Sequence, residues 1–197
     1  MNIYFKVFLF SIFSIFACNP IIEKPVKAAV VSARSEASDI GVEIMAKGGN
    51  AFDAMIATGL ALSVCYPNAG NIAGGGFLVY RTADGKYGSL DYREKAPLLS
   101  TRDMYLDSIG NVIPDKSLIG GLAIGVPGTV AGLYEVHKRF GSLSWEELVE
   151  PSIDLAKKGF VVTKKQKQSF QSKRDEFIDV NGKNTDINEF ILSLIHI

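Results

Sequence analysis

Histidine and cysteine are almost absent: two of each in 197 residues, His137 and His196, Cys18 and Cys65. None falls into a CxxC, HxxxH or HExxH spacing, so a zinc site would need widely separated ligands that nothing in the sequence advertises. Neither a metal nor another cofactor is expected. An excess of charge is missing as well, since Lys plus Arg total 21 and Asp plus Glu total 21. No long run of one sign appears before KKQK at Lys164–Lys167, which leaves no electrostatic case for nucleic acid or an anionic surface. Internal repeats and low-complexity tracts are also lacking. What remains is a chain of ordinary composition, long enough to bury roughly 70% of the surface its unfolded form exposes.

The first apolar run is too short to be a membrane span. In MNIYFKVFLFSIFSIFAC, Lys6 precedes an apolar run from Val7 to Ala17, about half a bilayer at roughly 1.5 Å per residue, so residues 1–18 read as a secretory signal. Ile15-Phe16-Ala17-Cys18 also resembles a bacterial lipoprotein signal, in which Cys18 is lipidated and becomes the mature N-terminus, although Phe16 is bulkier than that pattern usually carries. The expected location is therefore exported, periplasmic or membrane-anchored in a bacterium. Residues 19–26 form a polar, proline-bearing linker, and the folded part is expected from Lys27.

From there, KAAVVSA (Lys27–Ala33) is short and rich in Val, which suits a buried strand. Apolar positions from Ser35 to Lys47 repeat at helical spacing and stop at Gly48-Gly49. Asn50 can cap a second helix whose small residues suit it to lie sandwiched between neighbours, with Pro67 ending it. Phe77–Tyr80 reads as a strand, Thr82–Gly85 as a hairpin turn and Lys86–Arg93 as the return strand, which leaves Arg93 near a strand end. A short extended piece at Ala123–Val126 precedes a helix from about Thr129 to Phe140. Ser144 and Glu147 make a capping box for a helix running to Lys158, where Gly159 stops it and Pro151 should kink or divide it. The fold class is mixed α/β, with helices flanking a sheet.

The stretch NAGNIAGGGFLVY (Asn68–Tyr80) raises the question of a phosphate loop. A Walker loop needs a Lys and a Ser or Thr after its glycines, and a dinucleotide loop needs strand, glycines and helix in that order. Here the lysine is missing and the order is helix, glycines, strand. The glycines instead let backbone enter the sheet through conformations or contacts that a Cβ would forbid, in a turn that is either purely structural or passes close to a substrate.

Six segments then resemble one family in its order: GGNAFDAMIATGLALSV (Gly48–Val64), YPNAGNIAGGGFLVY (Tyr66–Tyr80), LDYREKAP (Leu90–Pro97), TRDMYLD (Thr101–Asp107), GVPGTVAGL (Gly125–Leu133) and ELVEPSIDLAKKGFVV (Glu147–Val162). They are similar to the large-subunit half of γ-glutamyltranspeptidase, over residues 27–163. The resemblance implies an N-terminal-nucleophile hydrolase fold, an αββα sandwich that would be incomplete in this chain. It also implies a precursor that cleaves itself before a threonine, whose hydroxyl then attacks the γ-glutamyl amide of glutathione or a related compound. The acyl group passes to water or to an acceptor amino acid or peptide, with the threonine's own amine as base.

Arg93 matches the arginine of the family's D-x-R-E-x-A-P motif, which binds the α-carboxylate of the γ-glutamyl group, and Glu94 is a candidate to orient it. A guanidinium suits the task because it offers two parallel N–H bonds to a carboxylate. Asp91, Arg93 and Glu94 cannot all face one way if the strand alternates. Tyr66 and Asn68 are expected to be structural, and Trp145 to be a packing residue.

The family's nucleophile lies in a Thr-Thr-His-x-Ser-like segment, and no threonine here is followed by Thr-His. The chain is therefore expected to be inactive alone, its missing small subunit coming from the same precursor. Residues 164–197 read as a poorly defined, truncated or aberrant end, closing on the apolar FILSLIHI. Two alternatives stand beside this reading: a surface-anchored, non-catalytic binding lipoprotein on the same scaffold, and a cephalosporin-acylase-like amidase.

Overall fold

The structure, a computed structural model, describes residues 28–181. The signal segment with Cys18, the 19–26 linker, Lys27 and the tail from Phe190 lie outside the described residues. Among the described residues five α-helices and one hairpin follow in order: α1 (Ser35–Ala46), α2 (Ala51–Cys65), β1 (Phe77–Arg81), β2 (Tyr87–Asp91), α3 (Thr129–Phe140), α4 (Trp145–Lys158) and α5 (Lys164–Asn181).

Helix α2 is the centre. It packs against α1, α3 and α4, and its sequence explains why: Ala54, Ala57 and Ala61 are buried beside Ile56 and Leu60, so neighbouring helices approach on several sides. At the crossing with α1, Gly41 leaves room for Thr58; a methyl there would also lie 2.9 Å from Val30 Cγ1. Ile44, Ile56, Val136 and Leu148, one from each of these four helices, are fully buried, each contributing about 1.5–3 kcal/mol of transfer free energy.

Polar groups fix the start of α2. Asn50 accepts from the amides of Phe52 (2.8 Å) and Asp53 (3.1 Å), while the Asp53 carboxylate accepts from the Asn50 amide at 2.8 Å. That reciprocal pair satisfies donors that would otherwise be orphaned at the helix end. Ser144 and Glu147 do the same for α4. Its Pro151 neither divides nor ends it, and one helix runs from Trp145 to Lys158.

The hairpin lies on this helical layer. Strands β1 and β2 pair antiparallel in the register Phe77 with Asp91 through Arg81 with Tyr87, and the turn closes at Gly85 with φ +86°. Leu78 and Leu90 face the core, and Tyr80 joins an aromatic cluster with Phe52 and Phe140, its ring centroid 4.8 Å from that of Phe140. The opposite face carries the exposed Phe77, Val79 and Tyr87.

Three expectations are corrected. The Lys27–Ala33 segment, over its described residues, has no regular secondary structure and pairs with no strand among the described residues, and Val31 is exposed. A valine-rich run needs a ladder partner to become a strand, and here Val30 packs against the buried helical cluster. The expected extended piece at Ala123–Val126 loses its first residue to a 3₁₀ turn (Gly121–Ala123); the backbone is extended at Ile124, and Val126 bridges Lys95. Beyond Val162, where no element was expected, the polar stretch forms α5.

Candidate functional site

Past β2 the chain continues as an extended arm, and burial keeps alternating: Tyr92 and Glu94 are half-buried, Asp91 and Arg93 exposed. The strand period thus carries Arg93 to the open face with Asp91 and leaves Glu94 half-buried, although the long Arg93 side chain still reaches back to it. The Arg93 side chain is 63% exposed, and its Nε lies 3.5 Å from a Glu94 carboxylate oxygen. Neither Nη1 nor Nη2 donates a hydrogen bond to a described residue, and the Nε–Glu94 contact is a loose, exposed ion pair, so the guanidinium stays open to solvent. The Asp91 carboxylate accepts from the Arg93 amide at 2.9 Å, which fixes the backbone beneath the side chain.

The arm is gripped from two sides. On one side runs the glycine stretch: the Tyr92 amide donates to the Gly76 carbonyl at 3.0 Å, and a methyl at Gly75 would lie 2.5 Å from Arg93 Cα. On the other side the Lys95 and Val126 backbones exchange bonds of 3.2 and 2.7 Å. The two grips are joined, because the Gly74 carbonyl accepts from the amides of Gly128 (2.8 Å) and Thr129 (3.1 Å) at the start of α3. The triplet therefore serves close backbone approach, and none of its three glycines has a positive φ. Asn71 holds the entry to the triplet by accepting from the amides of Ala73 and Gly74.

Other polar clusters missed by sequence reasoning are internal ties. Gln166 is buried at the start of α5, where its side-chain oxygen accepts from Arg34 Nη1 (2.6 Å) and the Thr163 amide (3.1 Å). Its nitrogen donates to the Cys65 carbonyl at 2.8 Å. Arg34 also pairs with Glu36 at 2.7 Å, and the guanidinium holds that carboxyl below the usual range. Burial pushes the Cys65 thiol up, away from the thiolate a nucleophile needs. His137 is occupied by the Leu143 carbonyl at 2.8 Å and packs edge-on against Trp145, which is the packing role expected of Trp145. Asn68 donates to Ser169 at 2.7 Å, a structural tie to α5. The signal for the Asn50–Asp53 box was the Asn-x-x-Asp spacing; Thr163-x-x-Gln166 is a capping-box spacing of the same kind, while the Arg34 and Cys65 partners of Gln166, about 100 residues or more away along the chain, carried no local signal.

Among mixed helix-and-sheet proteins, this chain is one in which a hairpin lies on a helical layer and hands an arginine to an open edge. Residues 37–192 match the family described as Gamma-glutamyltranspeptidase, and the chain belongs to that family. It is 50% identical over 155 residues to a glutathione hydrolase proenzyme of Pseudomonas aeruginosa, covering 79% of this chain and 27% of that protein. Among solved structures, the γ-glutamyltranspeptidase of Helicobacter pylori superposes with a TM-score of 0.77 at 42% identity, covering 81% of this chain and 46% of that one. A γ-glutamyltranspeptidase from Pseudomonas nitroreducens, solved with L-DON, gives 0.75 at 46% identity, over 85% and 48%. The chain thus spans about a quarter of the length of the curated relatives it matches.

Proposed function

We propose that this chain is the N-terminal part of an exported γ-glutamyltranspeptidase and supplies the group that recognises the γ-glutamyl α-carboxylate. Arg93 presents its open guanidinium edge to that carboxylate, and Glu94 orients the other edge. A threonine elsewhere in the precursor attacks the γ-amide of glutathione or a related donor, forms the acyl-enzyme, and passes the glutamyl group to water or to an acceptor amino acid or peptide. The described layer of helices and its hairpin form half of the αββα sandwich, the exposed Phe77, Val79 and Tyr87 facing the absent sheet. Residues 1–18 direct export, with Cys18 as the lipid-bearing residue.

The observation that carries this reading is the combination of a locked backbone and a free fork at Arg93. A charged hydrogen bond is worth about 1.5–3 kcal/mol, and Lys keeps the charge while losing the second, parallel bond. In the complete precursor, Arg93→Lys should raise KM for a γ-glutamyl anilide about tenfold or more, since roughly 1.4 kcal/mol is tenfold. Unchanged kinetics would remove Arg93 from the site.

A further inference from the structure

We propose that Tyr92 is the positioning residue for Arg93, seated in a slot walled by Gly76, Gly128 and Gly132. The inference rests on the reading that Arg93 binds the α-carboxylate. Three contacts from two separate stretches of chain converge on this one residue. Gly132 lies one turn into α3, and a methyl there would overlap Tyr92 Cβ and Cγ and lie 2.5 Å from Cδ2. Gly76 covers the far end of the ring, where a methyl would lie 2.8 Å from Cε2 and 2.9 Å from the hydroxyl oxygen. Gly128 faces the backbone, where a methyl would overlap the Tyr92 carbonyl oxygen.

These contacts locate a side chain and a peptide together. The ring is fixed between α3 and the glycine stretch, while the Tyr92 amide is tied to Gly76 and the next amide to Asp91. Because Arg93 follows directly and points the opposite way, a shift of the Tyr92 ring is passed to Arg93 through the single peptide that joins them. A planar fork requires both N–H groups to be aligned, so a displacement of about 1 Å is enough to lose its geometry. The three glycines act at Tyr92 by leaving space: each would clash with it if it carried a methyl.

The test uses the complete precursor enzyme and two donors, a γ-glutamyl anilide and a 4-aminobutyryl anilide, which is the same donor without its α-carboxylate. The ratio of their kcat/KM values measures carboxylate recognition alone. Gly132→Ala and Tyr92→Leu should each lower that ratio tenfold or more through KM for the γ-glutamyl donor, while kcat/KM for the truncated donor changes less than threefold. Tyr92→Phe keeps the ring and should hold the ratio near that of the unmodified enzyme. If Gly132→Ala does not accumulate as folded enzyme, Tyr92→Leu carries the test, because it removes bulk and introduces no clash. Equal losses on both donors, an unchanged ratio, or failure of both variants to mature would assign Tyr92 to folding and overturn the proposal. Arg93→Lys, run alongside, separates the two claims. A ratio lost in Arg93→Lys but kept in Gly132→Ala and Tyr92→Leu overturns only the role of Tyr92, whereas a ratio kept in Arg93→Lys overturns the carboxylate reading itself.

Discussion

Replacing Asp53 should cost this chain more stability than replacing any surface carboxylate. Its side chain is fully buried at the start of α2 and accepts from three groups: the Asn50 amide (2.8 Å), the Ser142 amide (3.1 Å) and the Ser142 hydroxyl. The first bond closes the capping box; the other two fasten the α3–α4 loop to it. A hydrogen bond to a charged group contributes about 1.5–3 kcal/mol net, and a donor left buried without a partner costs about 1–3 kcal/mol. Ser142 is itself exposed, so water can serve its groups once the carboxylate is gone. Summed with that relief, Asp53→Ala should lose about 3–4 kcal/mol, within the range for breaking a buried polar network. Asp53→Asn separates packing from bonding. It keeps the volume but turns one acceptor into a donor facing N–H groups, so it should lose most of the same amount. Urea unfolding followed by far-ultraviolet circular dichroism measures both. If Asp53→Asn stays within about 1 kcal/mol of the unmodified chain, the network is not what holds this corner and the reasoning fails.

Gln166→Leu should destabilise the chain by about 2–4 kcal/mol in the same assay, since it orphans the Thr163 amide, the Cys65 carbonyl and one arm of Arg34 together; a loss below about 1 kcal/mol would show that water replaces the glutamine. Glu36 gives a pH dependence. Its folded-state pKa is lowered, first by the hydrogen bond from Arg34, so its contribution is present above the unfolded carboxyl pKa and fades as pH falls through the lowered folded value. The difference in urea midpoint between the chain and Glu36→Gln should therefore be seen at pH 7 and shrink below about pH 4; a difference that grows in acid contradicts the sign. In a bacterial host, radiolabelled palmitate should be incorporated by the chain and lost in Cys18→Ala, whereas no label in the unmodified chain would leave a plain secretory signal.

Much of the fold was legible because it depends on neighbours in sequence. Asn50 and Ser144 announce helix starts through donors two or three residues away, Gly85 announces a turn through its own φ, and α3 begins and ends where its pattern says, at Thr129 and Phe140. Where the reading failed, a distant partner decided the outcome. The Val30–Val31 segment has strand composition and no strand paired with it among the described residues. Helix α5 is too polar to show an apolar stripe; Thr163-x-x-Gln166 marks its start, and Gln166 ties its first turn to α2.

Residue type and local spacing sufficed for the order of elements from α1 to α4, the exclusion of a phosphate loop, the family motifs and the arginine they single out. What the glycines do was decided by packing across the fold. Gly75 and Gly76 are close in sequence to β1 but act on Tyr92 and Arg93, and Gly128 and Gly132 reach the same arm from the start of α3. Overlap between a missing methyl and a ring is a property of atoms brought together across the fold. No spacing within either segment encodes it.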